Sequence, residues 1–270
     1  MSIRDVVYHD SSVLSANTCN LSRMSEVTIP AAESRLRGYL AVPDGEGPWP
    51  GVVVVHDVLG MTADLRRITD RFAASGYLAI APSLYDGPGP KIKCVINTVR
   101  SHFTGRGLSY GNLLAAREYL TADSRCTGKV GLAVFCMGAG FCLQLAPGGL
   151  FDAAAPSYAN LPSDVDKLEQ SCPVVGSFGA KDPIVARDTA EKLEAVLTRG
   201  EVPHDVKKYP RAGHSFMNEH PLPAPIRLVA GIAGIAYSAP EAEDAWQRIL
   251  AFFADHLAST GSDLDALDRI

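Results

Sequence analysis

A cysteine that can act as a nucleophile stands in VGLAVFCMGAGFCLQLA, residues 130–146. Val130, Leu132, Ala133 and Val134 form an apolar run of strand length, Gly138 and Gly140 permit close backbone approach, and Phe141, Leu143 and Leu145 continue apolar into a helix. Cys136 therefore falls at a strand-to-helix corner, which presents its side chain at the edge of a sheet. The first-turn N–H groups of the helix have no internal partner and carry the positive end of its dipole, so a thiolate or an oxyanion is favoured there. Cys19, Cys94, Cys126, Cys142 and Cys172 have no such setting and read as structural, Cys142 inside the helix.

A thiol nucleophile needs a base to take its proton and an acid to hold the imidazole in the useful tautomer. FGAKDPIV places Asp182 just past one strand end, and YPRAGHSFM places His214 just past another. Each residue has an ordinary explanation alone: a buried cysteine fills a core, an aspartate before proline starts a helix, and a strand-end histidine is solvated. Cys136, Asp182 and His214, taken together, follow the nucleophile–acid–base order of α/β-hydrolases. His56, His102, His204, His220 and His256 lack that setting. An oxyanion formed at Cys136 requires two N–H donors, one from the next residue, Met137, and one from the loop after an earlier strand, where HDVLG offers Val58.

Those loops need a sheet to hold them. A chain of 270 residues with 47% hydrophobic and 20% charged residues is long enough for one large α/β domain. Its net charge of −5, without a Lys/Arg cluster, excludes nucleic acid and other polyanions as expected partners. The cysteines show no paired metal-type spacing, the start lacks a charged-then-apolar leader, and no apolar run reaches membrane-spanning length, so a reduced, cytoplasmic protein is expected. Residues 1–23 are polar and aperiodic and are expected to be a disordered tail, with 24–270 as a single domain. SEVTIPA and RLRGYLAVP predict an opening antiparallel hairpin, and the β-branched run GVVVVHD predicts a central strand covered on both faces. Thr62 is the expected N-cap of a helix with Leu65, Ile68 and Phe72 on one face and Gly76 as its stop. YLAIAPS is the next strand, and residues 86–107 read as a long irregular insertion that could cover a site. Tyr110 to Leu120 is helical. FDAAAPSYA, PVVGSFGA and HDVKKYP are further strands, with a helix expected to start at Pro183, and Ala242, Trp246, Ile249, Leu250, Phe253 and Leu257 form the stripe of a closing helix. Strands alternating with helices imply a mostly parallel sheet with helices on both faces, whose ligand sites lie beyond the strands' carboxyl ends.

VVVVHDVLGM, YLAIAPSLYDG, VFCMGAG, FGAKDP, YPRAGHSFM and PEAEDAWQRILAFF, in this order across about residues 26–258, resemble the dienelactone hydrolase family. The resemblance implies an α/β-hydrolase fold without a large cap domain, and hydrolysis of a small ester or lactone by a Cys-Asp-His triad with no cofactor and no metal. Cys136 would be the nucleophile, Asp182 the orienting acid and His214 the base. Asp57 would take the place of a carboxylate that contacts the resting thiol or histidine, one methylene shorter than the family's glutamate. Val134 stands where the family's corner commonly has glycine. Tyr85, Phe216 and Asn218 are the expected substrate contacts. Enzymes acting on dienelactone place arginines where this chain has Gly87 and Asn218, so dienelactone itself is not the expected substrate; Lys91, Lys93, Arg100 or Arg106 could substitute as a clamp. Acyl transfer by the same residues, or a non-catalytic ligand-binding or redox-sensing role, remain open readings, with a monomer or small homo-oligomer expected.

Overall fold

The β-branched stretch Val52–Val55 is fully buried, and the whole sheet is built outward from it. The computed structural model describes residues 24–31, 35–86, 91–104, 107–136, 139–220 and 223–258; the expected tail, residues 1–23, lies outside them. Strands β1 (Met24–Pro30) and β2 (Arg35–Ala41) form the expected antiparallel hairpin, with Ile29 opposite Leu36. They are followed by β3 (Trp49–Val55), β4 (Leu78–Pro82), β5 (Cys126–Phe135), β6 (Ala153–Ser157), β7 (Val174–Gly179) and β8 (His204–Tyr209). The sheet order is β1-β2-β4-β3-β5-β6-β7-β8, with β2 antiparallel to β4 and every later pair parallel.

Helix α1 (Ala63–Ala74) returns the chain from β3 to β4, and α2 (Lys91–Thr104) with α3 (Leu108–Thr121) carries it back across β3 to β5. Because β4 and β5 flank β3 on opposite sides, right-handed crossovers put α1 and α3 on opposite faces of the sheet. The loops after β3 and β5 therefore diverge at a topological switch point, where such sheets open a crevice. On the α1 face lies α7 (Ala239–Leu257), with Phe72 5.1 Å from Trp246 and 6.1 Å from Phe253 between ring centroids. Gly131 lets α7 settle onto β5, since a Cβ there would stand 2.9 Å from Leu257 and Phe253. Helix α4 (Ala139–Leu145) packs near α3, with Phe141 5.1 Å from Tyr110.

Three local expectations are corrected. Residues 86–107 are not simply irregular, since they contain α2. Ile92, Val95, Ile96, Val99 and Phe103 recur at helical spacing, but the Gly and Pro residues that bound the stretch read as a loop. The helix expected from Pro183 begins only at Thr189, as α5 (Thr189–Arg199). Asp182 Oδ1 accepts the N–H groups of Ile184 at 2.7 Å and Val185 at 3.0 Å, and this side-chain turn replaces the first helical turn. Helix α6 (Ala224–Ile232) was not anticipated; it exposes Ile226, Leu228, Val229 and Ile232, so it has no buried stripe to read.

Candidate active site

Every side chain at the site is delivered by a strand's carboxyl end. Cys136 follows β5 with φ 59, a left-handed conformation that a non-glycine residue adopts only when its surroundings force it, and the bend turns the thiol out of the sheet. Val134 is fully buried before this bend, so the corner forms without the glycine of the family pattern. His214 follows β8 in a loop clamped from behind: its N–H donates to Gly234 O at 2.7 Å, and a Cβ on Gly213 would fall 1.9 Å from that same oxygen. Only glycine allows this approach.

The three residues meet in one line. His214 Nε2 is 3.1 Å from Cys136 Sγ, and His214 Nδ1 is 2.8 Å from Asp182 Oδ2. An ionised carboxylate only accepts, which puts the proton on Nδ1 and leaves Nε2 to face the thiol. Burial opposes ionisation of Asp182, but His214 and the N–H groups of Val185 and Ile184 outweigh it and hold the carboxyl below its ordinary range. Burial likewise opposes protonation of His214, yet the contacts with Asp182 and Cys136 prevail and push its pKa up to about 9.

Val58 sits in the turn after β3, and its N–H has no hydrogen-bond partner among the described residues, while its carbonyl accepts from Tyr85 Oη at 2.9 Å. Tyr85 is thus a support for that turn, its ring tilted against the His56 ring at 4.6 Å between centroids. Burial, with the nearby Asp57 and Cys136, pushes its hydroxyl pKa up to about 12. His56 ties two loops together, with Nδ1 2.7 Å from Asp57 O and Nε2 accepting from the Leu84 N–H at 3.0 Å; burial keeps it neutral. Met137 lies outside the described residues, as do Gly87 and Arg106.

The Asp57 side chain meets a histidine that the sequence did not single out. Its Oδ1 accepts the Leu59 N–H at 2.7 Å and its Oδ2 lies 3.3 Å from His220 Nε2, whereas Cys136 and His214 pair with each other. Burial raises the Asp57 pKa despite these contacts.

Phe216 is fully buried between Tyr158 at 5.5 Å and Tyr209 at 5.1 Å, and packs as core rather than facing open space. Asn218 is 4% exposed, and its amide is engaged at both ends: it accepts from the Tyr158 hydroxyl and donates to Asp64 Oδ2 at 3.0 Å. Asp64 in turn holds Arg67 at 2.7 Å. Tyr158, itself left-handed at φ 47, presents its ring to His214 at 5.2 Å and forms the wall behind the base. Its place directly past β6 is the only sequence signal that could have found it. Asp64 and His220 carried none.

Beside this line is a cavity of about 410 Å³, bordered by Ser215, Asn218, His220 and the turn after α6. Among the described residues no group of three or more His, Cys, Asp or Glu side chains is arranged to hold a metal ion, and no helix is long and apolar enough to cross a membrane.

The fold has relatives. The dienelactone hydrolase family profile matches residues 36–257. The provisionally named carboxymethylenebutenolidase of Synechocystis sp. is 27% identical over 259 residues, covering 86% of this chain and 96% of that one. A provisionally named dienelactone hydrolase of Klebsiella pneumoniae subsp. pneumoniae superposes with a TM-score of 0.68 at 27% identity, over 86% of this chain and 98% of that one. A dienelactone hydrolase-like promiscuous phosphotriesterase from metagenomic libraries does so with a TM-score of 0.72 at 25% identity, over 87% and 100%. With the family profile matched over residues 36–257, this chain belongs to the dienelactone hydrolase family of α/β-hydrolases.

Proposed function

We propose that the protein hydrolyses a small, neutral ester or lactone through an acyl-enzyme on Cys136. The observation that carries this reading is the continuous contact from Cys136 Sγ through the His214 ring to Asp182, at 3.1 and 2.8 Å. His214 Nε2 holds the thiol proton as Sγ bonds to the substrate carbonyl carbon. The oxyanion accepts from the Val58 N–H and from that expected at Met137. His214 then returns the proton to the departing alkoxide as the C–O bond breaks. Water next gives a proton to Nε2 and adds to the thioester carbon; the S–C bond breaks and the acid leaves. Asp182 stays ionised throughout and fixes the tautomer.

Preference for neutral substrates follows from the charges around the line. Asn218 is committed to Tyr158 and Asp64, and Arg67 is held by Asp64 at 2.7 Å and Glu219 at 3.4 Å. Among the described side chains, a substrate carboxylate would face Asp57 and Glu219, with Arg67 already paired.

The test is a panel of p-nitrophenyl esters and simple lactones, run on wild type, Cys136→Ala and His214→Ala. Turnover in wild type with loss of acylation in both variants is expected; turnover retained in Cys136→Ala would overturn the assignment. Acylation without turnover would point to transfer to another acceptor. Under limiting iodoacetamide, Cys136 is expected to be alkylated first, because burial pushes the thiols of Cys142 and Cys172 up, the latter to about 12.

A further inference from the structure

Asp182 and His214 reach each other from two different loops, and three backbone segments interlock beside them. The loops after β7 and β8 are joined by the Ala180 N–H, which donates to Tyr209 O at 3.0 Å, and the Lys181 N–H, which donates to Ala212 O at 2.9 Å. They touch so closely that a Cβ on Gly179 would stand 2.5 Å from Gly213 O. The third segment is the turn after α6, where Gly234 adopts φ 76 and its carbonyl accepts the His214 N–H at 2.7 Å. A Cβ on Gly213 would fall 1.9 Å from that carbonyl oxygen, and one on Gly234 would fall 2.8 Å from Lys181 O, the residue before Asp182. The contacts close a ring: Gly179 on Gly213, Gly213 on Gly234, and Gly234 back on Lys181. The atoms met are backbone, which cannot swing aside as the end of a long side chain can. Ile235 continues beside His214 as a parallel bridge, and the Ser238 N–H donates to Phe216 O at 3.0 Å, so the turn stays fastened to the His214 loop.

We infer, resting on the ester or lactone hydrolase reading above, that Gly234 is a positioning residue for the reaction: a wedge without a side chain that sets the separation between the loop carrying Asp182 and the loop carrying His214. It touches neither substrate nor reacting atoms. Its carbonyl fixes where the His214 backbone sits, its α-carbon fixes how near Lys181 comes, and the 2.8 Å contact between Asp182 Oδ2 and His214 Nδ1 spans the two. A side chain at 234 would bring its Cβ inside van der Waals contact with the Lys181 oxygen, so the acid loop would have to move off. Catalytic geometry tolerates little of this, since a misplacement of about 1 Å can cost about 10²-fold in rate.

Gly234→Ala tests this against Gly76→Ala, which imposes the same left-handed strain, at φ 89, just past α1, where a Cβ meets nothing within 4 Å. Both changes should lower Tm. Only Gly234→Ala should lower kcat on p-nitrophenyl butyrate, by about tenfold or more, with KM kept within about twofold. It should also slow alkylation of Cys136 by iodoacetamide at pH 6 by about fivefold, because a thiol without an aligned imidazole returns toward its free pKa of about 8.5. Wild-type kcat and alkylation in Gly234→Ala, or equal losses in Gly76→Ala, would overturn the inference. If the wild type turns over no ester, the hydrolase reading fails separately and the alkylation rates alone decide. Should Gly234→Ala not fold, Ala233→Gly loosens the same turn at an exposed position without adding an atom. The His214 and Lys181 amides should then exchange hydrogen faster together while kcat and alkylation fall. Exchange unchanged at either amide, or faster at both with kcat and alkylation intact, would overturn the inference.

Discussion

Two histidine–carboxylate pairs draw their histidines from the one loop after β8 and their carboxylates from the ends of β3 and β7, and they are built to different specifications. Asp182 is met by two backbone N–H groups and by His214 at 2.8 Å, and ends up a more stable anion than a carboxylate in water. Asp57 is met by one N–H and by His220 at 3.3 Å, and burial wins, so it ionises less readily. The far nitrogen of His214 closes on Cys136, whereas that of His220 closes on no described residue. The contrast teaches that a strand-end aspartate does not become a fixed anion by position alone. The number of donors that converge on it decides.

The largest effect separates the two carboxylates in kinetics. In Asp182→Asn the amide still accepts from Ile184 and Val185, but its NH₂ donates to His214 Nδ1 and forces the proton onto Nε2, where it cannot serve the thiol. We expect kcat/KM for a simple unsubstituted ester to fall by about 10² to 10⁴, by analogy with the same change in serine hydrolases. Asp57→Asn should cost less than about tenfold on that ester, since Asp57 touches His220 and not the line itself. Losses of similar size would dissolve the distinction between the pairs.

The same contrast explains what the sequence disclosed. Strands β3 to β8, the central place of β3 and the loop positions of Cys136, Asp182 and His214 were legible because buried parallel strands leave long apolar runs and their ends are punctuated by Gly, Pro and Asp. Helix α2 was hidden by the Gly and Pro residues that bound it, although Ile92, Val95, Ile96, Val99 and Phe103 keep helical spacing, and α6 exposes Ile226, Leu228, Val229 and Ile232. Asp64 and Asn218 lie 154 residues apart and His220 and Asp57 far apart as well, and contacts between such distant polar residues have no period or spacing to reveal them. Asn218 shows the consequence most directly. Motif position suggested a substrate contact, and the residue borders the cavity while the fold commits its amide to Tyr158 and Asp64.

That placement yields an intermediate effect, on stability. Asn218→Arg, which by motif alone would rebuild a carboxylate clamp, should instead force a longer charged side chain into a site that is 4% exposed and leave the Tyr158 hydroxyl without its acceptor. A cost of about 1–3 kcal/mol is expected, a drop of several degrees in Tm, with no gain in kcat/KM for a dienelactone over its methyl ester. A gain for the free acid at unchanged Tm would show that the amide is not a strut and that the wall opens toward substrate.

The smallest effect is the most direct reading of the two pairs, because their stability contributions run oppositely with pH. His214, raised from 6.5 to about 9 in the folded protein, contributes stability that is complete below about pH 6.5 and is lost as pH rises through 9. Asp182, lowered from 3.8, contributes stability present above pH 3.8 and lost as pH falls through its folded value. Asp57 is raised from 3.8, so its folded form prefers the proton; the contribution present below pH 3.8 is lost on ionisation, and the residue is a liability near neutrality. Asp57→Asn keeps an acceptor for the Leu59 N–H without the buried charge. It should therefore raise Tm at pH 7, by roughly 2–4 °C for each kcal/mol recovered, with the gain shrinking as pH approaches 3.8. Asp182→Asn should lower Tm at pH 7 under the same conditions. Thermal scans of both variants from pH 4 to 9 carry the comparison, and a fall in Tm for Asp57→Asn at pH 7 would mean that His220 holds Asp57 as firmly as His214 holds Asp182.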